Sequence, residues 1–217
     1  MPSWRSRSMR PFRRLFLILA LAATSLTAGM TAVATPALAG DLPPVTAEDR
    51  VLGRADAPVT VVEYASFVCP HCAAWHKEVY PAFKAQYIDT GKVKFVYRTL
   101  PTSPEDFAMT AAGIARCSRP DRFFAVVDSL FDGQPGFYAG SRTWFRDAIA
   151  VGGRTDAEMK ACFEDPATQA RINAEIEGAG AAGVEGTPTF FVDGHKMADP
   201  SLASLGAAID AAHRPGH

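Results

Sequence analysis

Residues 59–72 read VTVVEYASFVCPHC, so a β-branched apolar run leads directly into two cysteines held two residues apart. Val59-Thr60-Val61-Val62-Glu63-Tyr64 has the character of a buried strand and gives way at Ser66-Phe67. From Pro70 onward, Ala73, Ala74, Trp75, Val79, Tyr80, Phe83 and Tyr87 recur at three- and four-residue steps as far as Gly91. That spacing predicts an amphipathic helix whose first turn carries both cysteines. No other feature constrains the fold as strongly. A strand must hand its C-terminal end to a helix N-terminus, and the chain has to build an α/β unit around that junction.

The remaining elements are read from periodicity and punctuation. Val93-Lys94-Phe95-Val96-Tyr97 predicts a second strand, closed by Pro101 and Pro104. Helical patterns follow at 106–117, 121–131, 143–151, 156–163 and 167–176, separated by Gly, Pro or Ser/Asp. Strand signals return at Thr189-Phe190-Phe191-Val192, then Asp193-Gly194 and His195-Lys196-Met197, the pattern of a short hairpin with a type I′ turn. A helix over 200–212 closes the pattern. Residues 40–58 hold three prolines and little apolar patterning, so they read as an extended lead-in. The expected parts are therefore this lead-in, a first α/β part at 59–101, a helical insertion at 102–182 and a second α/β part at 183–217.

Whole-chain averages conceal one unlike segment. The 217 residues are 48% hydrophobic with a formal charge of −1, which excludes a disordered or collagen-like chain and offers no basic excess for nucleic acid. Residues 1–39, however, carry Arg5, Arg7, Arg10, Arg13 and Arg14 with no acid. An apolar run from Leu15 to Leu26 and the small residues Ala37-Leu38-Ala39 come next. This is the order of a cleavable export signal, with the cut expected after Ala39. Thr24, Ser25, Thr27 and Gly29 interrupt the stretch before it reaches the roughly 20 apolar residues of a membrane span. Arg13-Arg14-Leu15-Phe16-Leu17 also resembles a twin-arginine signal, with Phe12 where Ser or Thr is usual, so the export route stays open. Without the five arginines, 17 basic residues face 23 acidic ones, a formal charge of −6. All four cysteines, Cys69, Cys72, Cys117 and Cys162, then reach a compartment that tolerates disulfides, the periplasm.

Cys69-Pro70-His71-Cys72 suits a redox pair. At a helix start, unsatisfied N–H groups and the helix dipole stabilise a thiolate at Cys69, while Cys72 is expected deeper as the resolving thiol. His71 can add positive charge or a hydrogen bond at the Cys69 sulfur. A stabilised thiolate favours the reduced form and makes the disulfide an oxidant. Half of a zinc site is the competing reading, but Cys117 and Cys162 stand alone and supply no second closely spaced ligand pair, so no metal is expected. A plain structural disulfide at 69–72 is the other.

The stretch EYASFVCPHC, residues 63–72, resembles the active site of DsbA-type thiol:disulfide oxidoreductases, which are thioredoxin folds interrupted by a helical domain. The resemblance extends over nearly all of residues 58–213 and agrees with the order of elements above. It implies that Pro188, within Gly186-Thr187-Pro188-Thr189-Phe190, is the cis-proline facing the active disulfide, with Thr187 before it. Proline there removes a backbone donor and tolerates the cis bond, leaving neighbouring backbone groups for a substrate strand. It also implies that Glu63 is a buried acid near the resolving cysteine, able to accept the proton of Cys72. Lys94 and Arg98 are candidates for a balancing cation. Cys117 and Cys162 read either as a second, structural disulfide, which some members of the family have, or as two buried thiols. Trp75 is expected in the core and His76 exposed. Phe123, Phe124, Phe131 and Phe145 read as core rather than a cofactor site, and no cofactor is expected.

The activity the resemblance implies is oxidation of dithiols in exported proteins, with a monomeric enzyme reoxidised by a DsbB-like quinone-linked membrane protein. A disulfide isomerase or reductase of the DsbC/DsbG type is the first alternative, although the 19 residues between the expected cut and Val59 leave no room for an added dimerisation domain. A non-enzymatic thioredoxin-like binding module is the second, disfavoured by the presence of both cysteines and Pro188.

Overall fold

The computed structural model describes residues 42–213, and the expected export segment lies outside them. Five strands form one mixed sheet: β1 (Arg50–Leu52), β2 (Val59–Ala65), β3 (Val93–Thr99), β4 (Thr189–Val192) and β5 (His195–Lys196), in the order β1-β3-β2-β4-β5. Only β2 and β3 run parallel; every other pairing is antiparallel. The parallel pair needs a crossover, and α1 (Pro70–Glu78) and α2 (Tyr80–Phe83) supply it. Between β3 and β4 lie the helices α3 (Glu105–Cys117), α4 (Phe123–Tyr138), α5 (Trp144–Val151), α6 (Asp156–Glu164) and α7 (Pro166–Ala181). The final helix is α8 (Leu202–Ala212). The β4–β5 turn is Asp193-Gly194 with φ of 45° and 83°, as a type I′ turn requires, and the Asp193 carboxylate accepts from the Thr60 amide at 2.7 Å.

Strand alternation divides the core. Val59, Val61, Val93, Phe95, Phe190 and Val192 share one face with Trp75, Tyr80 and Phe83 from the crossover and Leu205 and Ile209 from α8. Val62, Tyr64, Val96 and Phe191 face the other way, against Ala179 and Ala182 at the end of α7. A third cluster joins the two parts of the molecule: Phe67, Val68, Cys69, Cys72 and Tyr97 pack with Ile114, Phe123, Val127, Leu130 and Trp144 of the helical segment. The cysteine pair therefore sits where sheet and helical insertion meet.

Three elements depart from the sequence expectation. The helix expected to run unbroken from Pro70 to Gly91 pauses at Val79 and ends in a π-helical turn, Lys84–Ile88. Pro81 cannot donate to the preceding turn, so the ladder is interrupted there. The fourth helix, expected to stop at Phe131, continues to Tyr138 through Gly133 and Pro135. Packing of Phe131, Phe137 and Trp144, with the Trp144 indole donating to the Leu130 carbonyl at 2.7 Å, outweighs the poor propensities of those two residues. The lead-in is not wholly extended either, because Arg50–Leu52 pairs with Phe95–Tyr97 at the sheet edge; three residues are too few to show a period.

A buried charge network docks this lead-in. The Arg98 guanidinium donates to both Asp49 carboxylate oxygens (2.8 and 3.1 Å) and to the carbonyls of Pro43 and Pro44 (2.9 and 3.0 Å). Arg116 pairs with Glu175 and donates to the Glu48 carbonyl at 2.9 Å. Within the helical segment, Cys117 of α3 is disulfide-bonded to Cys162 of α6 across a sequence separation of 45.

In the chain-entropy description, closing a loop of that length contributes about 4 kcal/mol before strain is subtracted. The Cys117→Ser/Cys162→Ser double variant is expected to lose about 2–4 kcal/mol of stability. Urea denaturation with the 69–72 pair held in one redox state measures it. An unchanged midpoint would show that the bond contributes nothing.

Candidate functional site

The loop Ser66–Cys69 turns β2 into α1. The Cys69 amide donates to the Ser66 carbonyl at 3.1 Å, and Ser66 Oγ accepts from the amide and hydroxyl of Thr102, fastening the start of the following segment to the loop. Cys69 is the N-cap residue of α1, Pro70 occupies the first turn, and that turn holds no acid. Proline is preorganised for this position, where its missing N–H is not needed. Pro70 and His71 are exposed, Cys69 is buried at the surface edge and Cys72 is fully buried. Both cysteines are free thiols in this structure.

The two sulfurs occupy opposite electrostatic environments. The Cys69 thiol is lowered to about 5, first by a hydrogen bond from the Cys72 thiol. Burial opposes this, and a Thr187 contact and the backbone N–H groups of Cys72 and His71 assist it. His71 thus acts through its amide, while its ring stands in solvent. Cys72 is driven the other way: burial pushes its thiol far above the ordinary range, and the negative charges of Cys69 and Glu63 push in the same direction. Their separation of character is what a nucleophilic and a resolving thiol require.

Thr187 and Pro188 face the pair from the start of β4. The Thr187–Pro188 bond is cis, and the Cys69 thiol donates to the Thr187 carbonyl at 3.3 Å. Thr187 Oγ1 is buried without another partner among the described residues, which leaves its hydroxyl free to donate to the sulfur once Cys69 ionises. A second cis bond, Ser103–Pro104, lies at the entrance to α3.

Glu63 is fully buried at the centre of β2, and its partner corrects the sequence reading. Neither Lys94 nor Arg98 reaches it. In the parallel register Lys94 lies beside Thr60 and Arg98 beside Tyr64, so alternation puts both on the opposite face, and Arg98 is committed to Asp49. The partner is His76, expected to be exposed but only 7% accessible. Its Nε2 lies 3.1 and 3.0 Å from the two Glu63 carboxylate oxygens. Helix α4 packs over the part of α1 that carries His76, so this residue is enclosed while His71, Ala74, Lys77 and Glu78 stay exposed, and the His76 ring stacks on Phe131 at 4.1 Å between centroids.

The same covering by α4 brings in two residues that sequence reasoning missed. Gln134 Nε2 donates to the carbonyls of Phe67 (2.7 Å) and Cys69 (3.1 Å), and Tyr138 Oη donates to the Val68 carbonyl at 2.5 Å. Three of the four carbonyls of the Ser66–Cys69 loop are thus held by the insertion. Both residues fall in the part of α4 beyond the expected stop at Phe131. The one signal for them was a glutamine with apolar neighbours at helical spacing. Among the described residues, Cys117 and Cys162 are bonded to each other and do not join the 69–72 pair.

A strand, a two-cysteine helix start and an opposing cis-proline on one sheet define a thioredoxin fold, here with five helices between its halves. The chain belongs to the thioredoxin family, whose profile, described as "Thioredoxin", matches residues 45–211. A Rickettsia bellii protein provisionally named protein-disulfide oxidoreductase is 35% identical over 168 residues, covering 76% of this chain and 64% of that protein. The chain thus spans a little under two thirds of that relative's length. The crystal structure of alpha-DsbA1 from Wolbachia pipientis superposes with a TM-score of 0.68 at 24% identity, covering 78% of this chain and 92% of that one. Oxidised BdbD from Bacillus subtilis gives 0.67 at 22% identity, covering 80% and 97%. At these identities the two structures bear on the fold alone.

Titration of the reduced protein followed by thiolate absorbance is expected to show one thiolate forming with a midpoint near 5, and Thr187→Val is expected to move that midpoint upward. Because the folded value lies below the ordinary thiol value of 9.0, Cys69 stabilises the reduced fold fully above about pH 9 and progressively less as pH falls, with nothing left below about pH 5. The urea midpoint of reduced protein, compared with Cys69→Ser at pH 4 and pH 8, checks the sign: the difference must favour the native chain at pH 8 and vanish at pH 4.

Proposed function

We propose that this protein is an exported dithiol oxidase that introduces disulfides into other exported proteins through Cys69 and Cys72. The observation that carries this reading is the asymmetry of the pair: a thiol lowered to about 5 at a helix N-terminus beside one pushed far upward by burial. A stabilised thiolate is a good leaving group and a poor nucleophile, so electrons flow into the disulfide from substrate thiols. In the first step a substrate thiolate attacks Cys69 Sγ, the Cys69–Cys72 bond breaks, and Cys72 takes up one proton. A second substrate thiolate then attacks the substrate sulfur of the mixed disulfide. The substrate leaves with its own disulfide and Cys69 departs as thiolate, two electrons having passed to the enzyme. Thr187 and cis-Pro188 offer backbone groups to the substrate strand beside Cys69.

The arginine-rich segment ending at Ala39 supports export to the periplasm, where the acidic chain would act as a monomer. Turnover then needs an oxidant for the reduced pair, and the DsbA-like fold supports a DsbB-like quinone-linked membrane protein in that place. The name of the Rickettsia relative is consistent with the oxidoreductase reading.

Glutathione titration of the 69–72 pair is expected to give a reduction potential well above the about −270 mV of thioredoxin. A potential near that of thioredoxin would instead assign the protein as a reductase, and efficient rescue of scrambled disulfides would assign it as an isomerase. Oxidation of a reduced dithiol peptide is expected to vanish in Cys69→Ala, and Cys72→Ser, given a disulfide-bonded peptide, is expected to accumulate the mixed disulfide, because Cys69 attacks the peptide disulfide and no second enzyme thiol releases it. Full peptide oxidation by Cys69→Ala would overturn the mechanism.

A further inference from the structure

An open cleft of about 260 Å³ lies between the α1–α2 crossover and α4, walled by His76, Tyr80, Pro81, Lys84, Asp128, Phe131 and Asp132. Its charges do not cancel. Asp128 and Asp132 stand one turn apart on α4, a spacing at which like charges repel. Neither carboxylate has a cation within ion-pair distance among the described residues. Lys84 is turned to Asp89, with its Nζ 2.6 Å from that carboxylate. The Glu63–His76 pair behind the wall adds no net positive charge when it shares one proton, and a negative charge when it does not.

A second observation is independent of the two aspartates. His76 is only 7% accessible, its Nε2 is committed to Glu63, and its Nδ1 is buried without a hydrogen-bond partner among the described residues. His76 lines the cleft and Glu63 does not, so the free edge of the ring is on the cleft side. An orphaned polar atom next to an open, negatively charged space asks for a partner there. With the Nε2 proton donated to Glu63, a neutral imidazole offers Nδ1 as an acceptor.

The walls also select among cations. Among the described residues no three His, Cys, Asp or Glu side chains converge closely enough to hold a metal ion, so a point charge cannot use the whole set. A guanidinium carries five N–H donors in a planar fork and can reach acceptors on α4 and on α1 together. Tyr80, Pro81 and Phe131 make the rest of the lining apolar, which a weakly hydrated guanidinium tolerates better than a compact, strongly hydrated ammonium.

We propose that this cleft is a docking site for an arginine side chain of a partner polypeptide, its guanidinium held by Asp128 and Asp132 and its aliphatic stem lying along Tyr80, Pro81 and Phe131. His76 follows Cys69 by seven residues, about 10 Å of helix, so the arginine makes a contact separate from sulfur exchange. The inference does not rest on the redox reading, and its failure would leave that reading untouched.

The test titrates oxidised, ¹⁵N-labelled full-length protein with the capped peptide acetyl-Gly-Arg-Gly-amide and follows backbone amide shifts by NMR. Saturable shifts are expected at Tyr80, Asp128 and Asp132. The lysine peptide is expected to bind about tenfold or more weakly, and the citrulline peptide, which keeps the shape without the charge, to give no saturable shift. Both aspartates are exposed, so their substitution removes charge without removing core packing. Asp128→Asn/Asp132→Asn is expected to bind the arginine peptide about tenfold or more weakly, and Asp132→Lys to abolish binding. Absence of saturable shifts with the arginine peptide would overturn the proposal, as would equal binding of the citrulline peptide or unchanged affinity in both aspartate variants. Saturable shifts at the same amides with zinc ion and none with the arginine peptide would make the cleft a metal site and overturn it as well.

Discussion

A carboxylate placed in the middle of a buried parallel strand pair is costly unless something close compensates it, and the architecture around Glu63 is arranged by that need. The compensating group comes from α1, one turn past Cys72, so the helix that presents the cysteines is also tied to the strand beneath it. The tie fixes how α1 sits on the sheet and with it the depth of Cys72. The exposed end of the same helix then faces Thr187 and Pro188, so one buried contact and one surface contact set the two sulfurs in opposite surroundings.

Most of the scaffold was legible in the residues. The β-branched run at 59–64, the apolar spacing after Pro70 and the Asp193-Gly194 turn each report local geometry that tertiary packing had no reason to override. The insertion was visible as successive helical patterns. Cys69 and Cys72 were legible as a closely spaced pair at a strand-to-helix junction, while Pro188 stood out only through the family resemblance, and its peptide bond is cis. What escaped were relations that only the third dimension creates. Helix α1 is covered on two sides, which a single amphipathic stripe does not reveal, and His76 was therefore placed in solvent. The pleat separates Glu63 from Lys94 and Arg98 by a face rather than by distance along the chain. Helix α4 runs through Gly133 and Pro135 because its neighbours hold it, against what local propensity indicates.

The insertion completes the site as well as dividing the fold. Phe131 closes over His76, Asp128 and Asp132 form a wall of the cleft beside it, and Gln134 and Tyr138 reach the loop before the cysteines. All of these are on α4 between Asp128 and Tyr138, so one stretch of one helix packs both on the Glu63–His76 pair and on the loop before the cysteines.

Gln134 carries a consequence for how the reactive sulfur gets its character. By holding the carbonyl oxygens of Phe67 and Cys69, it fixes the loop that carries Cys69, and with it the place of the sulfur beside Thr187 and the amides of His71 and Cys72. The acidity of Cys69 thereby depends on two parts of the molecule, which the chain joins through β3 into α3 and again through α7 into β4. A change that loosens the packing of the insertion, even one far from either cysteine, would be felt as a drift in redox poise before it was felt as a loss of fold.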